Sequence, residues 1–113
     1  MTLHPERARK YRNKPQVVDG IRLDSKLEAR RYGELKLLEK AGEIGGLAVH
    51  PRYQMIVNDL KVCEYVADFH YFDNREKRIV VEDTKGVLTP DCRIKLKLMK
   101  AIHGIDVRLI KKA

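Results

Sequence analysis

Tryptophan is absent from this chain of 113 residues, and cysteine is scarce, with Cys63 and Cys92 far apart. Such spacing offers neither a disulfide scaffold nor the clustered Cys and His ligands of a zinc site. No run of about 18 apolar residues exists to span a bilayer, and no apolar stretch follows the basic N-terminus as in a secretory signal. We therefore expect a cytoplasmic protein without membrane association.

A glycine-rich phosphate loop is also missing, so nothing indicates a nucleotide cofactor. The chain has 24 Lys and Arg against 16 Asp and Glu, a formal charge of +8. Such an excess favours a polyanionic partner, because each neutralised phosphate releases condensed counterions. Nucleic acid is the expected partner, and an anionic membrane surface is the rival.

The length fits one compact domain, since two cores would each be too small to bury enough apolar surface. Residues 1–14 are strongly basic and almost free of apolar side chains, which predicts a flexible arm that could follow a phosphate backbone. Residues 15–113 then form the single domain. The basic residues of the arm are Arg7, Arg9, Lys10, Arg12 and Lys14.

The first part of the domain contains strong local signals. An Asp-Gly pair at 19–20 between short apolar stretches predicts a tight hairpin. Ser25 and Glu28 have the spacing of a capping box, and Gly42 follows a run of good helix formers. We therefore predict one long helix from Ser25 to Ala41.

The middle of the chain has extended character. Residues 47–49 and 53–57 favour strands, and the Asn-Asp pair at 58–59 predicts a turn into a second strand from about Val62 to Phe72. After a turn at 73–77, a third strand runs from Arg78 to Thr84, and its Ile-Val-Val run suits the centre of a sheet.

A second helix is predicted from Thr89, with Pro90 at its first position, to Gly104. A strand from Ile105 to Ile110 should join the same sheet in parallel. The order of helix, three strands, helix and strand predicts an α/β fold with a mixed central sheet flanked by helices. The expected apolar stripe of the second helix is Ile94, Leu98, Ala101 and Ile102.

The third strand carries two residues, Asp83 and Lys85, that could take part in catalysis. Asp83 and Lys85 are two residues apart, so the pleat points both to one face, while Glu82 points to the other. Asp68 lies amid apolar neighbours on the preceding strand, and buried acids seldom lack a partner. Two such carboxylates could hold Mg²⁺ with room for water and phosphate, and the lysine could position the attacking water. Glu28 shares a helix face with Tyr32 and should point toward the sheet, as a possible third carboxylate.

Asp68 followed by the Val80–Gly86 segment resembles the Asp and (Asp/Glu)-X-Lys signature of the PD-(D/E)XK nuclease superfamily, and the element order is similar to its αβββαβ core. The segments at 25–32, 50–53 and 65–69 further resemble small phage-encoded nucleases akin to Holliday-junction resolvases. The similarity spans roughly residues 17–110. The superfamily's Pro-Asp dipeptide is absent, since Ala67 precedes Asp68.

This resemblance implies a restriction-endonuclease-like fold and a Mg²⁺-dependent endonuclease, with Mn²⁺ as a substitute, that cuts branched double-stranded DNA. It implies that Asp68 and Asp83 are metal ligands, that Glu28 is a further acid at the metal, and that Lys85 is the catalytic lysine. Symmetric cutting of a four-way junction requires two sites, which predicts a homodimer.

Simpler interpretations exist for each residue. Glu28 could only complete a capping box, Asp83 and Lys85 could be an exposed pair, and Asp68 could lie in a bulge. A slip of one residue in register would exchange Glu82 with Asp83. The histidines show no pattern that predicts ligands. Basic residues on the second helix are either a DNA-binding surface or a solvated face: Arg93, Lys97 and Lys100.

Two other functions remain open. One is a nicking, restriction-like or transposase-associated endonuclease of the same fold, although the short chain leaves little room for a base-reading domain. The other is a basic DNA-binding module without catalysis, which should bind in EDTA and weaken steeply with salt.

Overall fold

The computed structural model describes residues 15–84 and 88–111. It opens with the predicted hairpin, in which β1 (Gln16–Val18) pairs antiparallel with β2 (Ile21–Leu23). Asp19 and Gly20 have φ angles of 53° and 76°, as a tight two-residue hairpin turn requires. Two other predictions, the basic arm at 1–14 and the catalytic Lys85, lie outside the described residues.

The first helix forms where the sequence predicts it. Helix α1 spans Lys26–Lys40, and the Ser25 hydroxyl accepts the backbone N–H of Glu28 at 3.0 Å. Beyond the last turn, Gly42 has a φ of 79°, a left-handed conformation that glycine adopts without steric cost. The predicted N-cap at Ser25 and the predicted end of the helix before Gly42 are therefore confirmed.

Six further strands form one mixed sheet and a separate hairpin. In the mixed sheet, of order β3-β6-β7-β8, the first three strands are antiparallel neighbours and β8 runs parallel to β7. Strand β7 is thus internal, as its apolar run predicts. The strands are β3 (Ile44–Val49), β4 (Arg52–Val57), β5 (Leu60–Val66), β6 (Phe69–Asp73), β7 (Arg78–Asp83) and β8 (Arg108–Leu109).

The prediction of one continuous strand from Val62 to Phe72 is wrong. The segment breaks at Ala67 and Asp68, because β5 pairs with β4 whereas β6 pairs with β3 and β7. At the break, the Ala67 N–H bonds the Pro51 carbonyl and the Asp68 N–H bonds the Glu82 carbonyl, each at 3.1 Å. The chain therefore changes partners at the acid that the sequence analysis singled out.

The second helix begins as predicted but packs differently. Helix α2 (Pro90–Leu98) has Thr89 as its N-cap and continues into a π-helical turn at Met99–His103, with Gly104 at its end. The predicted stripe is wrong in part: Ile94 is 58% exposed and Ala101 is exposed, while Leu96, Leu98 and Ile102 pack beside buried Met99. The wider π turn changes the spacing only from Met99 onward, including Ala101, whereas Ile94 precedes it and faces solvent.

Apolar clusters cover both faces of the mixed sheet. One lies between the sheet and α1, around Leu35, Phe69 and Val80. The other joins Val81 and Met99 to Tyr65 of the β4–β5 hairpin. The protein is thus a mixed α/β structure with helices on both sides of a mixed sheet. None of the helices in the described part of the chain is long and apolar enough to cross a membrane.

Two leucines on α1 provide a matched test of the first cluster. Leu35 is fully buried, whereas Leu37 is 69% exposed. We expect Leu35→Ala to lower the free energy of unfolding by about 2–5 kcal/mol, because a cavity remains in the core. Leu37→Ala should change it by less than about 0.5 kcal/mol. Urea denaturation followed by circular dichroism measures both, and equal losses would contradict this packing of α1.

Candidate active site

Three acidic side chains are almost completely buried: Glu28, Glu82 and Asp83 have relative exposures of 2%, 0% and 1%. Glu28 lies in the first turn of α1, and the other two end strand β7. A buried carboxylate is costly unless hydrogen bonds or opposite charges compensate it. The partners of each acid therefore indicate its role.

Glu82 is held in an ion pair beneath α1. Arg31 donates two hydrogen bonds to its carboxylate, from Nε at 2.8 Å and from Nη2 at 2.7 Å, and the Tyr71 hydroxyl donates a third. The bond to Glu82 raises the pKa of Arg31 above its ordinary value, so the guanidinium stays charged. This bidentate geometry gives Glu82 a structural function.

Asp83 points to the opposite face of the sheet, where the Tyr65 hydroxyl donates a hydrogen bond to its Oδ2. Burial and this bond raise the pKa of Tyr65, so the phenol stays protonated as a donor. Because Asp83 is buried, the interpretation of it as part of an exposed pair is wrong. Glu82 and Asp83 do face opposite sides, as the predicted register requires.

Asp68 occupies the break between β5 and β6 rather than a regular strand position. Its Oδ2 accepts two hydrogen bonds from Thr84, from the backbone N–H and from the hydroxyl, each at 2.6 Å. Among residues 15–84 and 88–111, no hydrogen bond reaches its Oδ1. The half-buried carboxylate is thereby tied to Thr84, the residue before Lys85 in the sequence.

Glu28 makes contacts that a capping box does not explain. Its Oε1 accepts the backbone N–H of Asp24 at 3.1 Å, and its Oε2 lies 2.7 Å from His50 Nε2. In a capping box the carboxylate would return to the N–H of Ser25. Burial, and then the negative charge of Asp68, raise the pKa of Glu28, while the His50 hydrogen bond opposes them.

Asp68 is connected to both of the other predicted metal ligands by different interactions. After burial, its negative charge is the next largest cause of the raised pKa of Glu28, and its carboxylate is bonded to Thr84, the neighbour of Asp83. The compact group of possible ligands is nevertheless Asp24, Glu28 and His50, whose ligand atoms lie within 4.8 Å of one another. Among the described residues, Asp68 and Asp83 are not part of this group, and Asp83 points to the face of the sheet opposite the one where Glu82 meets α1.

The donor atoms fit a hard divalent cation. Carboxylate oxygens are the ligands that Mg²⁺ and Mn²⁺ prefer, and an imidazole nitrogen beside them is more suitable for Mn²⁺ than for Mg²⁺. A cation near Asp68 would also relieve its repulsion with Glu28, which burial strengthens. Glu28 belongs to the compact group with Asp24 and His50, and Asp68 and Asp83 are the other predicted ligands of such a cation.

Several residues that contact the acids of the site were not predicted from the sequence. His50 was not predicted as part of any site, and nothing in its local sequence indicates its contact with Glu28. Arg31 has a weak signal, because it lies one helical turn after Glu28 and so shares its face. Tyr65 and Thr84 take part through pairings that only the folded chain creates.

The predicted DNA-binding residues of α2 and the π turn are on the surface. Arg93 and Lys97 are exposed, and Lys100 is exposed but pairs with Asp106 at 2.7 Å. Their surface position is compatible both with a DNA-binding surface and with a solvated charged face.

The buried ion pair can be tested against a surface pair. We expect Arg31→Met to lower the free energy of unfolding by about 3 kcal/mol, because it leaves the Glu82 carboxylate buried without its cation. Adding Glu82→Leu should recover part of that loss. Arg52→Met removes the exposed Arg52–Glu64 pair and should cost no more than about 1 kcal/mol. Chemical denaturation measures all three, and equal costs for Arg31 and Arg52 would contradict the structural role.

Comparisons with known proteins give a family but no relative of known activity. No curated protein and no solved structure is similar enough to the chain to count as a match. The family described as "Protein of unknown function (DUF1064)" matches residues 8–112, which is nearly the whole sequence. The chain belongs to the DUF1064 family.

Proposed function

We propose that this protein is a metal-dependent endonuclease that hydrolyses DNA phosphodiester bonds at branched structures. The observation that carries the proposal is that buried Glu28 and Asp83 are both connected to Asp68. The Asp68 carboxylate is bonded to Thr84, next to Asp83, and the Asp68 carbonyl is bonded to His50, the partner of Glu28. Acids near the end of a strand can bind a divalent cation, and a net charge of +8 favours binding of the phosphate backbone on which such a cation would act.

The topology supports a restriction-endonuclease-like core. Helix α1 is followed by three antiparallel strands of the mixed sheet, β3, β6 and β7, and then by α2 and the parallel strand β8. This is the αβββαβ order, with the β4–β5 hairpin as an insertion between β3 and β6. In such a core the acids belong at the end of the two central strands, where Asp68 and Asp83 lie.

The side chains suit different tasks in phosphodiester hydrolysis. A divalent cation, when bound, supplies Lewis acidity toward the scissile phosphate and activates water. Asp68, Asp83 and Glu28 would hold it, and Tyr65 would orient Asp83 from behind. Lys85 would position the attacking water or offset the charge that builds on the phosphate.

Branched DNA is the proposed substrate, and a Holliday junction is its leading form. The net charge supports a duplex partner, since phosphate contacts dominate affinity. Exposed basic side chains on α2 and the π turn would contact the backbone, together with the basic residues at 1–14. The choice of junction over linear DNA rests on the resemblance to small phage resolvases.

Cleavage assays on three substrates test the proposal. We expect the wild-type protein to cut an immobile four-way junction with Mg²⁺ or Mn²⁺, but neither linear duplex nor a nicked flap, and to be inactive in EDTA. Asp83→Asn removes one negative charge at nearly constant shape. It should lower cleavage by at least about a hundredfold, because even outer partners of a metal contribute 10- to 100-fold.

The matched control is Asp59→Asn, the same change in the exposed turn of the β4–β5 hairpin. Asp59 has a φ of 64°, which asparagine tolerates, so cleavage should be unchanged. Similar cutting of all three substrates would retain the nuclease and reject the resolvase. Binding that resists EDTA, without cleavage under either metal, would instead favour a non-catalytic DNA-binding module.

A homodimer follows from the proposed function, since two related sites are needed to cut a four-way junction symmetrically. We expect size exclusion with light scattering to give about twice the 13.1 kDa of one chain, at least with junction DNA present. A single-chain mass under both conditions would contradict paired cutting. It would leave open a nuclease that nicks one strand.

A further inference from the structure

We propose that His50 is a positioning residue that holds the Glu28 carboxylate in place for cation binding. This inference rests on the proposed function and gives a role to His50, which the resemblance includes only as part of the 50–53 segment and to which it assigns no function. His50 Nε2 lies 2.7 Å from Glu28 Oε2, while the Asp24 N–H fixes Oε1. Both oxygens of the buried acid are thereby oriented, one by the backbone and one by the imidazole.

The backbone of His50 is tied to the second acid of the site. Its N–H donates to the Asp68 carbonyl at 2.9 Å, and the next carbonyl, of Pro51, accepts the Ala67 N–H. One residue therefore connects the helix-borne Glu28 with the strand break that carries Asp68. A shift of the corner between β3 and β4 would move the two acids relative to each other.

His50 turns the corner between β3 and β4 in a left-handed backbone conformation, which is uncommon for residues other than glycine. Its φ is 56°, in the left-handed region, which costs a residue with a Cβ about 1–2 kcal/mol. Glycine or asparagine would turn this corner with less strain. Such strain persists only where the surroundings enforce it, and it concentrates at functional sites. The bond to Glu28 gives a reason for a histidine at this corner.

With Glu28 ionised, its carboxylate can only accept, so His50 must donate from Nε2. Glutamine can reproduce this donor, because its side-chain amide nitrogen reaches about as far as Nε2 of histidine. Phenylalanine keeps the ring volume but has no donor. These two substitutions therefore separate hydrogen bonding from the filling of space.

Calorimetric titration of the free protein with Mn²⁺ provides a readout that does not depend on cleavage. We expect His50→Phe to weaken Mn²⁺ binding about 10- to 100-fold, as for other groups that orient metal ligands. His50→Gln should bind Mn²⁺ nearly as the wild type does. Cleavage should follow the same order, and at saturating Mn²⁺ the KM for junction DNA should stay constant.

His103→Phe is the matched control, because this exposed histidine bonds the Gln54 carbonyl rather than any of the three acids. It should leave Mn²⁺ binding unchanged. Thermal unfolding of each variant identifies any variant that fails to fold. If His50→Phe does not fold, Mn²⁺ binding by His50→Gln still tests the role of the hydrogen bond.

The outcomes separate the two proposals. If the wild type binds Mn²⁺ and cuts DNA but His50→Phe binds Mn²⁺ equally well, the role of His50 is rejected and the nuclease stands. If both variants lose binding equally, His50 is itself a ligand, in the group with Asp24 and Glu28, and the positioning role is rejected. A wild type that neither binds Mn²⁺ nor cuts any DNA rejects both proposals.

Discussion

Burial of carboxylates at the end of the central sheet is the constraint that organises the surrounding structure. An ionised acid removed from water needs donors or a cation, and the cost of failing to supply them is several kcal/mol. Glu82 receives a charged guanidinium and a phenol. Glu28 receives a backbone amide and an imidazole. The pKa of Glu28 stays raised, so its environment still favours an added positive charge. Glu82 differs, because Arg31 already provides that charge.

The break at Ala67 and Asp68 explains how the acids come together. In an unbroken strand, the Asp68 side chain would follow the alternation of side chains along β6, and the residues before it would stay in the mixed sheet. Because β5 leaves to pair with β4, Asp68 is instead clamped between the Glu82 carbonyl and Thr84. The β4–β5 hairpin then brings Tyr65 to Asp83 from the far side. The hairpin, which lies outside the mixed sheet, thus supplies one of the donors to the buried acids.

Sequence patterns predicted the elements that local chemistry determines. The Asp-Gly hairpin, the Ser25 cap, Pro90 at the start of α2 and the glycines that end both helices all depend on neighbours within a few residues. The strand break, the π turn and the left-handed His50 depend on contacts between distant segments, so no local pattern could predict them. The candidate acids were identified from their setting in the sequence, with Glu28 expected to point toward the sheet. Their partners, His50 for Glu28, Thr84 for Asp68 and Tyr65 for Asp83, come from distant segments or depend on the strand break.

The adjacent acids Glu82 and Asp83 have different partners on opposite faces of the sheet. The pleat sends them to opposite faces, so the longer side chain reaches Arg31 under α1 while the shorter one stays near the strand end. With Glu82 neutralised, the negative potential of the site comes from Asp83, Asp68 and Glu28. On the proposed function this matters for substrate approach, because a phosphate would be repelled by bare carboxylates despite the net charge of +8. A cation resolves that conflict. A module that only bound DNA would gain nothing from burying Glu28 against the charge of Asp68.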